Sequence, residues 1–244
     1  MSSFTLAWHF LIFGVLPYVV IAVLILGSLA RFVLAPFSWK SQSSEILDKK
    51  DIFWGANLFH IGVIFLFCGH CFGLFTPTEW LNAAGLTPRL HQMMEIICGG
   101  LSAIVAITGL IILTWRRLTN ERVRAASRPS DFWVLFLLLA VIILGIGCVV
   151  NSYLYDKSGA TIILLGGWVR GLFSFDYQAW QNILLVPDWQ KGHIFVGLII
   201  FLIVPFTRLV HIWSGYLSVF YLIRPHQIMR ANNGKPMKLS LIHI

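Results

Sequence analysis

Charge is what this sequence lacks. Only 11% of its 244 residues are Asp, Glu, Lys or Arg, against about a quarter in ordinary soluble domains. Hydrophobic residues make up 58% and the mean hydropathy is +0.81, which excludes a soluble globular domain. Cysteine is scarce: Cys68, Cys71, Cys98 and Cys148 all fall inside apolar runs, where cysteine serves as a small packing residue. Internal repeats and low-complexity segments are missing too. The N-terminal apolar run has no basic flank and is too long for a cleavable signal, so it is expected to remain as a helix. Pro17 in its middle requires a neighbouring helix to cover the carbonyl it frees.

What is present is long apolar runs. Nearly uncharged stretches lie at about 4–30, 52–78, 90–115, 132–155 and 192–223, each long enough for the ~20 helical residues that cross a hydrocarbon core. The expected fold is an all-α integral membrane domain of five transmembrane helices over residues 1–225, with 226–244 as a tail. The loop at 36–51 is expected to include a short surface helix, and the tail after Arg224 to fray. The segment 156–191, with Trp168, Phe173, Phe175, Tyr177, Trp180 and Trp189, is too broken to span and is expected to lie on the outer interface.

Basic residues are one-sided. Arg31, Lys40, Lys49 and Lys50 sit in the first loop, Arg116, Arg117, Arg122, Arg124 and Arg128 in the third, and Arg224, Arg230, Lys235 and Lys238 in the tail. The alternate loops hold only Arg89, Lys157, Arg170 and Lys191. The positive-inside rule then predicts a periplasmic N-terminus and a cytoplasmic C-terminus. Because these clusters interrupt membrane helices, they read as topology signals and a docking surface; no nucleic-acid partner is expected.

Ionisable residues inside membrane helices are costly and point to function. His60 and His70 lie in the second predicted helix, His193 and His211 in the fifth. His193 and His211 are separated by five whole turns, so they share one face about 27 Å apart along the axis. His60 and His70 differ by about 15 Å of rise and about 80° around the axis. Since the two helices run in opposite directions, His60 meets the level of His211 and His70 the level of His193. The ~12 Å mismatch in rise must be absorbed by helix tilt or a slanted ligand axis. Facing imidazoles at two depths are axial ligands for two haems. Gly55, Gly62, Gly69, Gly73, Gly192 and Gly197 either leave room for a flat macrocycle or serve helix packing. Arg208 either pairs with a haem propionate or snorkels to the interface.

The CGHC at 68–71 fits no other chemistry well. A c-type haem needs CxxCH, and Phe72 follows Cys71. A redox dithiol needs a thiolate and access to partners, and no second CxxC completes a zinc set. The working residue of the motif is His70.

ANLFHIG (56–62), CGHCFG (68–73) and PFTRLVHIWS (205–214) resemble the cytochrome b (γ) subunit of bacterial respiratory nitrate reductase. LGSLAR (26–31), SSEILDKK (43–50) and the ICGG of the third helix add to a likeness covering roughly 15–230. The resemblance implies two b haems between the second and fifth helices, with His60 and His211 on the inner iron and His70 and His193 on the outer. It implies a subunit of the bacterial inner membrane that takes electrons from the quinone pool on the outer side. It passes them to an iron–sulfur (beta) subunit and a molybdenum catalytic (alpha) subunit on the cytoplasmic face. The implied quinol site includes His91, Gly69 and His70, with His91 standing where the family has a lysine. Two other readings remain: the same type of anchor serving a sulfur- or heterodisulfide-linked reductase, and a proton-coupled transporter, which would show broken helices and repeats.

Overall fold

The computed structural model describes residues 3–35, 38, 49–213, 226–228 and 240–242. Five segments are long and apolar enough to cross a membrane: α1 (Ser3–Leu34), α2 (Lys49–Phe75), α4 (Pro88–Thr119), α6 (Pro129–Tyr155) and α8 (Asp188–Ile203). Short helices α3 (Thr78–Ala83), α5 (Glu121–Ala125) and α7 (Ala160–Phe173) join them. β1 (His226–Ile228) and β2 (Ser240–Ile242) pair antiparallel in the tail, which the sequence reading left without structure. The rest of the expected fraying tail, and nearly all of the first loop, lie outside the described residues.

Pro17 lacks the N–H that would bond Phe13 O one turn back. The ladder widens into a π-turn over Leu11–Val15, and Trp168 Nε1 donates to Phe13 O at 2.9 Å. The carbonyl freed by the proline is thus covered from α7. Part of the segment expected at the interface is therefore packed on α1. Trp168, Val169 and Leu172 are buried against Phe13, Ala179 and Ile183, whereas Phe173, Phe175 and Tyr177 face outward.

Small residues bring α2 and α4 into backbone contact. A Cβ on Gly62 would lie 2.5 Å from Ala106 N, and one on Gly109 would lie 2.3 Å from Phe59 N. Ala103, Ala106 and Leu110 continue that face of α4 toward Ile142 of α6. At the opposite end of α6, Asp156 accepts from the backbone N–H of Ser158, Gly159 and Thr161. Gly159 has φ +77°, and a Cβ there would sit 2.5 Å from Pro88 O, so both backbone shape and space call for glycine.

The fifth span departs from the expected continuous helix over 192–223. It leaves α-geometry after Ile203, makes 3₁₀ turns at Val204–Phe206 and Arg208–Val210, and is extended at Thr207. Pro205 cannot donate to the ladder, and its ring favours the break. Arg31 of α1 caps the exposed carbonyls: its Nη1 donates to Pro205 O and Thr207 O, both at 2.7 Å.

Candidate functional site

The four intramembrane histidines form two pairs. The His60 and His211 ring centroids are 6.1 Å apart with planes at 71°. Those of His70 and His193 are 6.0 Å apart with planes at 22°. The rings that topology places at one depth are neighbours, and the fifth span is not straight between its two histidines. The break after Ile203 redirects the chain, so His211 is not the straight-helix projection of His193.

The tautomers are fixed in the same way at all four rings. Nδ1 lies 2.7 Å from Ala56 O at His60, 2.7 Å from Leu66 O at His70, 2.9 Å from Val141 O at His193 and 2.7 Å from Arg208 O at His211. A carbonyl only accepts, so each Nδ1 carries the proton and each Nε2 keeps its lone pair. That is the arrangement in which a backbone carbonyl orients a metal-ligating imidazole. Spacing agrees. A metal–imidazole bond is about 2 Å, and ring nitrogens lie about 1 Å from the ring centre. Two imidazoles sharing one metal therefore have centroids about 6 Å apart.

The glycines divide between the two roles left open by the sequence. Gly55 and Gly62 pack against α4, and Gly192 makes ordinary contact with Leu144. A Cβ on Gly69 or Gly197 would meet nothing within 4 Å. Open space beside His70 on α2 and on the matching stretch of α8 is what a planar macrocycle needs. The histidine donors and these open positions fit haem. Among the described residues no group of three or more His, Cys, Asp or Glu could hold a metal ion. Cys68 and Cys71 are not joined in a disulfide.

Arg208 lies in the 3₁₀ turn before His211, its Nε 2.8 Å from Asp131 Oδ1. Arg117 Nη1 lies 3.0 Å from Asp131 Oδ2. Asp131, only 5% exposed, therefore ties α4 and α6 to the inner histidine's turn. The sequence reading gave Asp131 no part, although it is the single acid at the start of an otherwise apolar helix.

His91 is buried in the first turn of α4, its ring 5.9 Å from that of Phe72. A Cβ on Gly73 would lie 3.3 Å from its Nε2. A small pocket here is lined by His91, Gly73, Thr76, Pro88, Ile162 and Arg170. Arg170 donates to Leu74 O and Thr76 O, the terminal carbonyls of α2. Gly69 and His70, expected with His91 at one site, lie about one turn before Gly73 in α2. Gly73, on the same face as Gly69 by the i, i+4 rule, takes the place beside His91.

Arg89 Nη1 and Gln92 Nε2 both donate to Asp156 O, at 3.1 and 2.8 Å. Burial alone would push the Asp156 carboxyl up, but hydrogen bonds from Thr161 and Ser158 overcome it and hold it down to about 2. This junction fixes the start of α4, and with it His91.

The sequence profile of the nitrate reductase gamma subunit matches residues 9–232. The chain is 36% identical over 219 residues to the respiratory nitrate reductase 2 gamma chain of Escherichia coli K12, covering 90% of this chain and 95% of that one. It is 35% identical over 221 residues to the respiratory nitrate reductase 1 gamma chain of the same organism, covering 91% and 96%. Against the nitrate reductase gamma chain of Bacillus subtilis 168 the identity is 35% over 224 residues, covering 91% and 98%. With five membrane-crossing helices, the chain is a multi-pass protein of the cytoplasmic (inner) membrane, and it belongs to the nitrate reductase gamma subunit family.

Proposed function

We propose that the chain is the dihaem cytochrome b anchor of a quinol-oxidising nitrate reductase. The observation that carries this is the shared construction of two histidine pairs at two depths, each ring with Nδ1 tied to a backbone carbonyl, which makes Nε2 the nitrogen with the lone pair. His60 with His211 would hold the inner b haem, and His70 with His193 the outer. Haem supplies one-electron redox chemistry at each level. The charge asymmetry of the loops puts His70 and His193 toward the periplasm and the broken fifth span toward the cytoplasm. Electrons would leave on the cytoplasmic side to an iron–sulfur (beta) subunit and a molybdenum catalytic (alpha) subunit, where nitrate is reduced. Arg208, whose Nε lies 2.8 Å from Asp131 Oδ1 and whose Nη2 reaches Ala126 O at 3.5 Å, sits three residues before His211, at the level where the inner haem's propionates would lie.

Quinol from the membrane pool would bind at the outer end, between His91 and the Gly69–His70 turn. Among the described residues the His91 ring makes no hydrogen bond to protein, in contrast to the four paired histidines. A neutral His91 ring nitrogen can accept the proton of a quinol hydroxyl and return it to the outer surface. The break in the fifth span does not favour a transporter, because Arg31 occupies the freed Pro205 and Thr207 carbonyls instead of leaving them to an ion.

The test is anaerobic addition of a reduced quinone analogue to the purified chain, followed in the visible haem bands. Reduction of b haem is expected, slowed at least tenfold in His91→Ala and recovered in part by His91→Lys. A purified wild-type chain without haem would overturn the proposal.

A further inference from the structure

Glu95 is the acid of the membrane-crossing helix α4, about two turns from its start at Pro88, and nothing in the function above uses it. It follows His91 by four residues, which puts it about 6 Å deeper and about 40° round the helix. That direction lies between His91 and Gln92, 7% and 1% exposed. Lower down, Ala103, Ala106 and Leu110 carry the buried side of α4, while Met94, Ile97, Leu101 and Ile104 form its outward side. Glu95 thus points inward with the buried residues, yet its side chain is exposed. The two facts agree only if it faces a space between helices that protein does not fill.

Its neighbours mark that space. Glu95 opens a π-turn, Glu95–Gly99, a feature frequent at functional sites. Gly99, on the same side one turn on, has nothing within 4 Å of where a Cβ would be, and neither has Gly69 of α2. The Glu95–Gly99 turn packs against both α2 and α6, and since His91 lies beside Gly73, Glu95 one turn deeper on α4 comes level with Gly69 and His70 one turn deeper on α2. α6 carries Val141, whose carbonyl holds His193 Nδ1, and Gly145, where a Cβ would sit 3.1 Å from the His193 ring. Glu95 therefore shares one space with both outer histidines. His70 Nδ1 is bound to Leu66 O. The groups facing it are His70, His193, Cys148 and, one turn above, His91. The Arg170 guanidinium of α7 is tied to the end of α2.

We infer that Glu95 is the proton acceptor that balances charge when the outer haem site gains an electron. The inference rests on the proposed function. An electron entering a low-dielectric site is costly unless a positive charge follows it. As one electron leaves quinol for the site, one quinol proton moves to a carboxylate oxygen of Glu95. When the electron passes inward, that proton is released outward past His91. Quinol is the reductant, and Glu95 ends each cycle as it began.

The test is a redox titration of the haems in the intact chain at several pH values, for wild type, Glu95→Gln and Glu95→Asp. In the wild type the outer midpoint is expected to fall with rising pH, and the inner midpoint to be nearly flat. Glu95→Gln is expected to raise the outer midpoint and abolish its pH slope, with the inner one unmoved; Glu95→Asp retains the slope. A redox-difference infrared band of a carboxyl group, present in wild type and lost in Glu95→Gln, would agree. An unchanged outer slope in Glu95→Gln overturns the inference, and so does loss of the outer haem in both variants, which would make Glu95 structural. Wild-type protein without haem would remove the proposed function itself; haem present with a slope indifferent to Glu95 removes this inference alone.

Discussion

The two histidine pairs have the same spacing and different supports. His70 and His193 project from unbroken helix, and α6 backs His193 through Val141 O and Gly145. His211 stands after a broken helix, on a turn held by Arg31 and by the Arg208–Asp131–Arg117 cluster. The His70–His193 pair is thus positioned by packing and His211 by charge and hydrogen bonds. Perturbing polar groups around the broken fifth span should therefore disturb one pair and spare the other.

The largest effect is expected from Asp131→Ala. It leaves two guanidiniums without their shared buried carboxylate, at a cost of about 3–5 kcal/mol. Thermal unfolding in detergent should show the loss, and the inner haem should be depleted before the outer. Arg31→Ala removes four charged hydrogen bonds, two to Ser38 and two to the Pro205 and Thr207 carbonyls, which it strands, costing about 2–3 kcal/mol. The inner haem spectrum should broaden while the outer one holds, and Arg31→Lys should recover part of the loss. If both haems respond alike to either change, the division of labour is wrong.

Glycine substitutions sharpen the comparison between filled and open space. Gly62→Ala forces α2 and α4 apart and is expected to destabilise by about 1–3 kcal/mol. Gly69→Ala has room, so the haem-free fold should gain a few tenths of a kcal/mol from about 1 kcal/mol of helix propensity. The same change should lower occupancy of the outer haem several-fold, read from the haem-to-protein ratio. Opposite signs for fold and occupancy at Gly69 would mark that face as a ligand wall.

The smallest effect concerns pH at the outer junction. The Asp156 carboxyl sits at about 2 in the fold, below its unfolded value of about 4. Its contribution is therefore complete above about pH 4 and fades as pH falls toward 2. Limited proteolysis of the α6–α7 junction should accelerate over that window in wild type. Asp156→Asn should cleave faster at neutral pH and show a flatter profile.

The histidine pairing was legible because helical period and antiparallel topology together determine which rings share a depth. The covering of Pro17 was legible as a requirement, but not as Trp168, whose partner Phe13 is 155 residues away. Pro205 was visible in the fifth apolar run, yet its consequence depended on Arg31, which lies 174 residues away in sequence. The glycines could not be sorted by sequence, since Gly62 and Gly69 sit one heptad apart in similar surroundings. Asp131 and Glu95 escaped because each is a lone acid in an apolar run. Their meaning comes from what other helices bring to them: two arginines in one case, two histidines and an open space in the other.

The account rests on two haems held at separate levels by separate pairs. The most direct measurement is a reduced-minus-oxidised spectrum with a haem count for the wild type, His70→Ala and His211→Ala. Two b haems per wild-type chain are expected, with His70→Ala losing one and His211→Ala losing the other, distinguishable by midpoint potential. A single haem in the wild type, or loss of the same haem in both variants, would contradict it.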